Sequence, residues 1–503
     1  MSRLAVPVVA LLLGLGAVAA RAQRPAVPDL QLFYDAQSRD EHTARRALDA
    51  LAPLWRDGYT SMIIDMARQL RPASPSAPDD SLAEFPGGFD DDPTGSSPRQ
   101  RDDVPVAPAP RRVTPDSLAR ARLLRFLEQR TGKRFDTQLR GWRAWMWSRP
   151  YEPHPQYAAF KARIYGQIDR RMARFFPPEV PAVIRLDEID WGGVVVNGIP
   201  PLYYPRTLPA SEARYLRDGH VVFGLVVNGE ARAYPKRILA WHEMARDRLG
   251  GAELHVVYCT LCGTVIPYES VAGGRQWRFG TSGLLYRSNK LMFDEETGSL
   301  WSTLEGRPVV GSLVGKDLAL ASRPVVTTTW GEWRREHPET TVLSLDTGHD
   351  RDYAEGAAYR DYFSHDTLYF EVPGEDRRLK NKAEVLTFVV RVSGEPPRPV
   401  AIAQDRLRRT RVYPLEVAGR HFLIVTSRGG ANRVYAGGSR PLAFAPTPDG
   451  DGLLVDGAGG KWRVSEERLE PLDGQAGALP RVPAQRAFWF GWRAQYPETV
   501  LVQ

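Results

Sequence analysis

One passage is written twice in the C-terminal part of this chain, and that duplication limits the possible folds more than any other feature. GLVVNGEARAYPKRIL, from Gly224, is echoed by VVRVSGEPPRPVAIAQDRL, from Val389. LHVVYCTLCGTVIPY (254–268) is echoed by FLIVTSRGGANRVY (422–435), and WRREHPETTVL from Trp333 by WRAQYPETVL from Trp492. Order is kept and spacing roughly so. The repeated runs are short, β-branched and bounded by Gly, Asn or Pro, which predicts strands. Two related β-rich domains are therefore expected, about 180–345 and 380–503, joined by a Tyr/His-rich bridge at 346–379.

Upstream the periodicity is helical. Ala44, Leu48, Leu51 and Leu54, then Met62, Ile63, Met66 and Leu70, recur at three- and four-residue intervals within a helical segment at 23–71. A Pro/Asp/Ser-rich stretch, 72–112, has almost nothing to bury and reads as a flexible linker. Helical spacing returns over 113–176, where Thr114 is placed to cap a helix with Pro115 at its first position. TGKRFDTQLRGWRAWMW in this part resembles one helix-pair unit of HEAT-like repeats, which implies a protein partner for the helical segment; the alternative reading is helices packed on the domain that follows. The whole is an α+β chain. A helical N-terminal segment precedes two tandem, internally duplicated β-rich domains.

The first 22 residues pair Arg3 with an apolar run, Leu4 to Ala20, and a small-x-small site at Ala20–Ala22. This predicts a cleavable export signal, a periplasmic or secreted protein, and no membrane span after cleavage. The formal net charge of +7 is spread along the chain, without a Lys/Arg block interleaved with aromatics, so nucleic acid is not an expected partner. No GxSxG, HExxH, Walker or dinucleotide-binding fingerprint occurs in context.

Against this framework the two copies differ where chemistry would sit. The first holds the chain's only two cysteines, Cys259 and Cys262; the second has Ser427 and Gly430 there. A shared framework that manages without the cysteines argues that they serve function. The β-like run and Pro267 after CTLCG predict a tight turn between strands, with both sulfurs on one side. That is the shape of a metal knuckle, which needs further ligands from elsewhere. His242 is one candidate, placed by periodicity on the inward face of a helix running from Pro235 to the Gly250–Gly251 pair. Met292 and Asp294 are the next. Two thiolates, an imidazole and a thioether would suit copper(I); a carboxylate in place of the thioether would suit zinc.

Two other readings stay open. Cys259 and Cys262 would form a redox-active dithiol. Alternatively they close a structural disulfide in a binding module that presents Trp301, Trp330, Trp333 and a Tyr-rich surface. GLVVNGEARAYP, WHEMARD, YCTLCGT, FGTSGLLYRSNKLMFDEETGSLWS, Trp333 to Pro338, and RDY with Tyr359 and Tyr362 occur in this order. In them, residues 218–390 resemble the bacterial and archaeal domain-of-unknown-function family 3179. Arg246 stands where that family commonly has Asn, and Thr260 where it usually has Pro.

Overall fold

The computed structural model describes residues 26–71, 114–135, 139–447, 450–474 and 477–503. The expected export signal at 1–22 and the stretch 72–112 lie outside the described residues.

Local chemistry starts the helices where expected. Asp29 and Asp40 accept from the Gln31 and Thr43 N–H groups at the starts of Leu30–Ala36 and Glu41–Leu51. Thr114 and Ser117 form a reciprocal capping box ahead of Pro115–Thr131, which ends at Gly132 with φ 66°. With Thr60–Gln69, Leu139–Trp147 and Tyr157–Gly166 these helices close over Phe33, Met62, Leu123, Trp142 and Phe160. The bundle also shares its core with a sheet. Leu284, Leu291 and Phe293 are buried among the same residues, and the Phe175 and Phe293 rings lie 5.3 Å apart. The N-terminal helices are therefore packed on the β part of the molecule.

Both copies fold with one topology. In the first, Val221–Val227 pairs antiparallel with Glu230–Pro235 and with Val326–Thr329, while Thr341–Leu343 joins in parallel. In the second, Glu384–Val390 pairs with Arg398–Ala403 and Gln485–Phe488, and Val500–Val502 joins in parallel. A short helix follows the second strand of each, then an antiparallel trio: Met244–Leu249, Ala252–Cys259 and Thr264–Glu269, or Val412–Val417, Arg420–Thr426 and Asn432–Gly438. The repeated W…PET tail is structural. Trp333 Nε1 donates to Thr340 Oγ1 at 2.9 Å and Trp492 Nε1 to Thr499 Oγ1 at 2.9 Å.

The copies differ in what each inserts before its closing strand. The first inserts Phe279–Tyr286, Asn289–Asp294, Leu300–Ser302 and Arg307–Val310, which with Ile189–Trp191 form a five-stranded sheet. This sheet lies between the helical bundle and the cysteine hairpin. Alternation along Asn289–Asp294 turns Leu291 and Phe293 to the bundle, and Lys290 and Met292 to the hairpin.

The helix expected to run from Pro235 to the glycine pair is shorter. It covers Lys236–His242 and ends at Glu243, whose φ is 55°. Met244–Leu249 is a strand paired with Ala252–Cys259. Gly250 and Gly251 take φ 54° and 79° and form the two-residue turn of this hairpin, not a helix cap.

Candidate functional site

The cysteines sit on the turn between Ala252–Cys259 and Thr264–Glu269. Cys262 N–H donates to Cys259 O at 3.2 Å, and Gly263 completes the turn with φ 62°. The second copy makes the same turn, Gly430 N–H to Ser427 O at 3.1 Å. Tyr258 N–H donates to Glu243 O at 2.8 Å, as Thr426 N–H does to Arg411 O at 2.7 Å. Arg411 thus stands in the place of Glu243, and Thr410 in the place of His242.

Each turn rests on the other copy's Trp-rich helix. Phe488 N–H donates to Cys262 O at 2.7 Å, and a Cβ on Gly491 would lie 3.3 Å from Cys262 Sγ. In the reciprocal contact Glu332 occupies the place of Gly491 and accepts from Gly429 N–H at 3.3 Å. A side chain has moved from helix to turn between the two contacts. Gly491 makes room for Cys262, where Gly429 makes room for Glu332.

Cys259 and Cys262 are buried free thiols with their sulfurs 2.9 Å apart. Their environments are unlike. Burial opposes a thiolate at Cys259, but the hydrogen bond shared with Cys262, together with the Lys290 N–H and ammonium, holds it below its ordinary range. Burial pushes Cys262 far up, and the neighbouring Cys259 charge pushes it further. Cys262 Sγ also lies 3.2 Å from Ser288 O, a second acceptor for its proton. The two thiols are thus unequal, Cys259 being the more readily ionised.

Beneath the turn lies a buried ion pair that the sequence motifs contain but do not reveal. Lys290 Nζ donates to Glu243 O at 2.6 Å and Tyr258 O at 3.3 Å, and lies 3.5 Å from the Glu243 carboxylate. Burial raises Glu243 toward its protonated form, against the pull of Lys290 and Thr260. Burial likewise depresses Lys290, offset by Glu243 and Cys259.

A strap from the bridge segment closes the site. Tyr362, Phe363, Leu368 and Phe370 pack with Phe488 and Phe490 around the cysteines, leaving Cys259 2% exposed. Tyr362 Oη donates to Leu261 O at 2.8 Å, inside the CxxC turn. Lys382 donates to the Tyr362 and His365 carbonyls and sits 3.4 Å over the Tyr362 ring. Arg140 and Arg143 of the helical bundle pair with Glu371 at 2.9 and 3.0 Å. Tyr362→Phe removes one hydrogen bond worth about 0.5–1.5 kcal/mol. If labelling proceeds through strap opening, alkylation of the folded protein should then quicken roughly 2- to 10-fold.

The other residues singled out in the sequence stand elsewhere. His242 Nδ1 is 2.8 Å from Pro200 O and Nε2 is 2.5 Å from Tyr353 Oη. Burial lowers its pKa to about 4, so the ring is neutral. The carbonyl requires a donor, so Nδ1 carries the proton and Nε2 accepts from Tyr353. Both nitrogens are spent in the core, and His242 is not brought to the sulfurs. Met292 lies two residues along its strand from Lys290, about 6–7 Å farther, among Met244, Val257 and Trp301. Asp294 accepts from Thr297 N–H at 2.6 Å and Trp301 Nε1 at 3.0 Å, anchoring a turn. Trp301, Trp330 and Trp333 are buried, so they present no binding surface.

Among the described residues, no His, Asp or Glu ligand atom lies within 4.8 Å of both sulfurs. Two thiols beside an ammonium do not make the four-ligand set of a structural zinc site. Among those residues a three-group cluster occurs only at Glu336, His337 and Glu466. There Arg433 holds the carboxylates at 2.6 and 2.5 Å, a cation already built into the protein.

Among the described residues no helix is long and apolar enough to cross a membrane. No curated protein and no solved structure matches the chain. The family described as "Protein of unknown function (DUF3179)" matches residues 196–499, which takes in both copies and extends the expected 218–390 in each direction. The match leaves the HEAT-like stretch outside it. Spanning more than half of the chain, it shows that the protein belongs to this family.

Proposed function

We propose that this chain is an exported dithiol–disulfide protein in which Cys259 is the attacking thiolate and Cys262 the resolving thiol. The observation that carries the reading is the pair itself: two free sulfurs 2.9 Å apart, one held low by its surroundings and the other held high. The second copy, with the same turn and no cysteines, supports a role beyond folding. Export rests on the N-terminal charge and apolar pattern.

The chemistry balances with a disulfide, R–S–S–R′, as oxidant. Cys259 thiolate attacks one sulfur, forming a mixed disulfide and expelling R′S⁻. Cys262 then loses its proton and attacks Cys259 Sγ, expelling RS⁻ and leaving the Cys259–Cys262 disulfide. Two electrons pass to the partner. Closure requires the sulfurs to approach by roughly 0.9 Å. Since Cys259 is covered, exchange waits on the strap.

Equilibration of the folded protein with glutathione mixtures tests this. A reversible two-electron transition is expected, with a midpoint more oxidising than the about −300 mV below which structural disulfides lie. A pair that stays inert until the protein unfolds would contradict the proposal. Stoichiometric copper or zinc lost in Cys259→Ser would favour instead a soft-metal site, for which the two sulfurs are the supporting observation.

A further inference from the structure

Resolution of the mixed disulfide poses a problem that the thiols alone do not solve. Cys262 is 0% exposed in the reduced protein, and a base beside the turn would take its proton without waiting on solvent. Resting on the dithiol reading, we infer that the Glu243 carboxylate takes the Cys262 proton in the resolving step, with Lys290 positioning it as counter-ion.

Four observations support this. Glu243 lies at the foot of the CxxC turn, its carbonyl held by both Tyr258 N–H and Lys290. Its carboxylate lies 3.5 Å from Lys290 Nζ, the ammonium that also reaches the Tyr258 carbonyl next to Cys259. It sits in a left-handed conformation unusual for a non-glycine residue, a strain that tends to collect at functional sites. Most telling is the second copy. Where the cysteines are missing, Arg411 replaces Glu243, so the carboxylate of the ion pair is gone. A buried ion pair is costly to desolvate, and this framework folds without one at the equivalent place. The charge pair and the thiol pair occur together and are absent together.

The groups facing Glu243 are Lys290 from the inserted sheet, Thr260 and the two cysteines from the turn, and Tyr258 and Tyr359 around them. Burial raises Glu243, which makes it a stronger base than an exposed carboxylate, while Lys290 pulls against that rise. The proton passes from Cys262 Sγ to the Glu243 carboxylate as the Cys262–Cys259 bond forms and the Cys259–partner bond breaks.

The test follows two phases in the reaction of folded, reduced protein with the aromatic disulfide dithiobis-nitrobenzoate. Attack by Cys259 releases the first coloured thiolate and resolution by Cys262 the second. Glu243→Gln, nearly isosteric, should slow the second phase by about 100-fold, at the low end of general-base effects. The first phase should be unchanged or faster, because a negative charge beside Cys259 has been removed. The wild-type second phase should level off with pH as Glu243 ionises, whereas in Glu243→Gln it should keep climbing. Glu243→Asp should restore part of the rate. A second phase within about twofold of wild type in Glu243→Gln, with an unchanged pH profile, overturns the inference and leaves the dithiol reading intact. A wild-type protein that releases no second equivalent overturns the dithiol reading itself.

Discussion

Cys259→Ser should abolish reaction of the folded protein with disulfides, while Cys262→Ser should stop it at a stable mixed disulfide. The asymmetry follows from the site. Serine at 259 removes the sulfur that Cys262 and Lys290 hold below its ordinary range, and the remaining Cys262 is buried and pushed far above its own. A group held so high has almost no thiolate near neutral pH, and the thiolate is the nucleophile. The expected loss in Cys259→Ser is therefore at least about 100-fold in rate. In Cys262→Ser the attacking sulfur remains and a hydroxyl donor replaces the Cys262 thiol, so attack should proceed while the adduct persists. Intact-mass measurement after glutathione disulfide treatment reads both outcomes. Equal reactivity of the two single variants would show that the sulfurs are not differentiated.

Lys290→Met should be the most destabilising single change at the site, by about 3–5 kcal/mol. Lys290 is 4% exposed, and its ammonium holds two carbonyls and the Glu243 carboxylate. Methionine fills similar space but leaves a buried carboxylate with its counter-ion gone. The double variant Lys290→Met with Glu243→Gln should recover much of this, since two neutral groups replace an ion pair at little net cost. Urea midpoints of the two single variants and the double variant measure the coupling. Additive losses would mean that Lys290 acts through packing and its carbonyl bonds alone.

These expectations rest on residues whose importance was only partly legible in the sequence. The duplicated framework was, because repeated β-branched runs and the W…PET tail encode strands and a local Trp–Thr bond in each copy. So was the tight turn at CTLCG, where Gly263 supplies the positive φ, and the Thr114 cap. His242 misled because Ile238, His242, Ala245 and Leu249 fit a helical stripe. The helix breaks at Glu243, and Met244–Leu249 alternates as a strand because its partner lies across a Gly-Gly turn. Glu, unlike Gly, gives no warning of a left-handed residue. Lys290 was hidden differently. A lysine in NKLMFD reads as a solvated edge until the inserted sheet is seen to be covered on both faces. One signal was present, that Lys290 and Met292 share a strand face, but nothing in the sequence tells which element that face meets.

The measurement that bears most directly on the central claim is the mass of the folded wild-type protein before and after exposure to glutathione disulfide. The account predicts loss of two hydrogens, no retained glutathione, and return to the starting mass on mild reduction. An unchanged mass until the protein is unfolded, or a metal ion carried at stoichiometry on the two sulfurs, would contradict it.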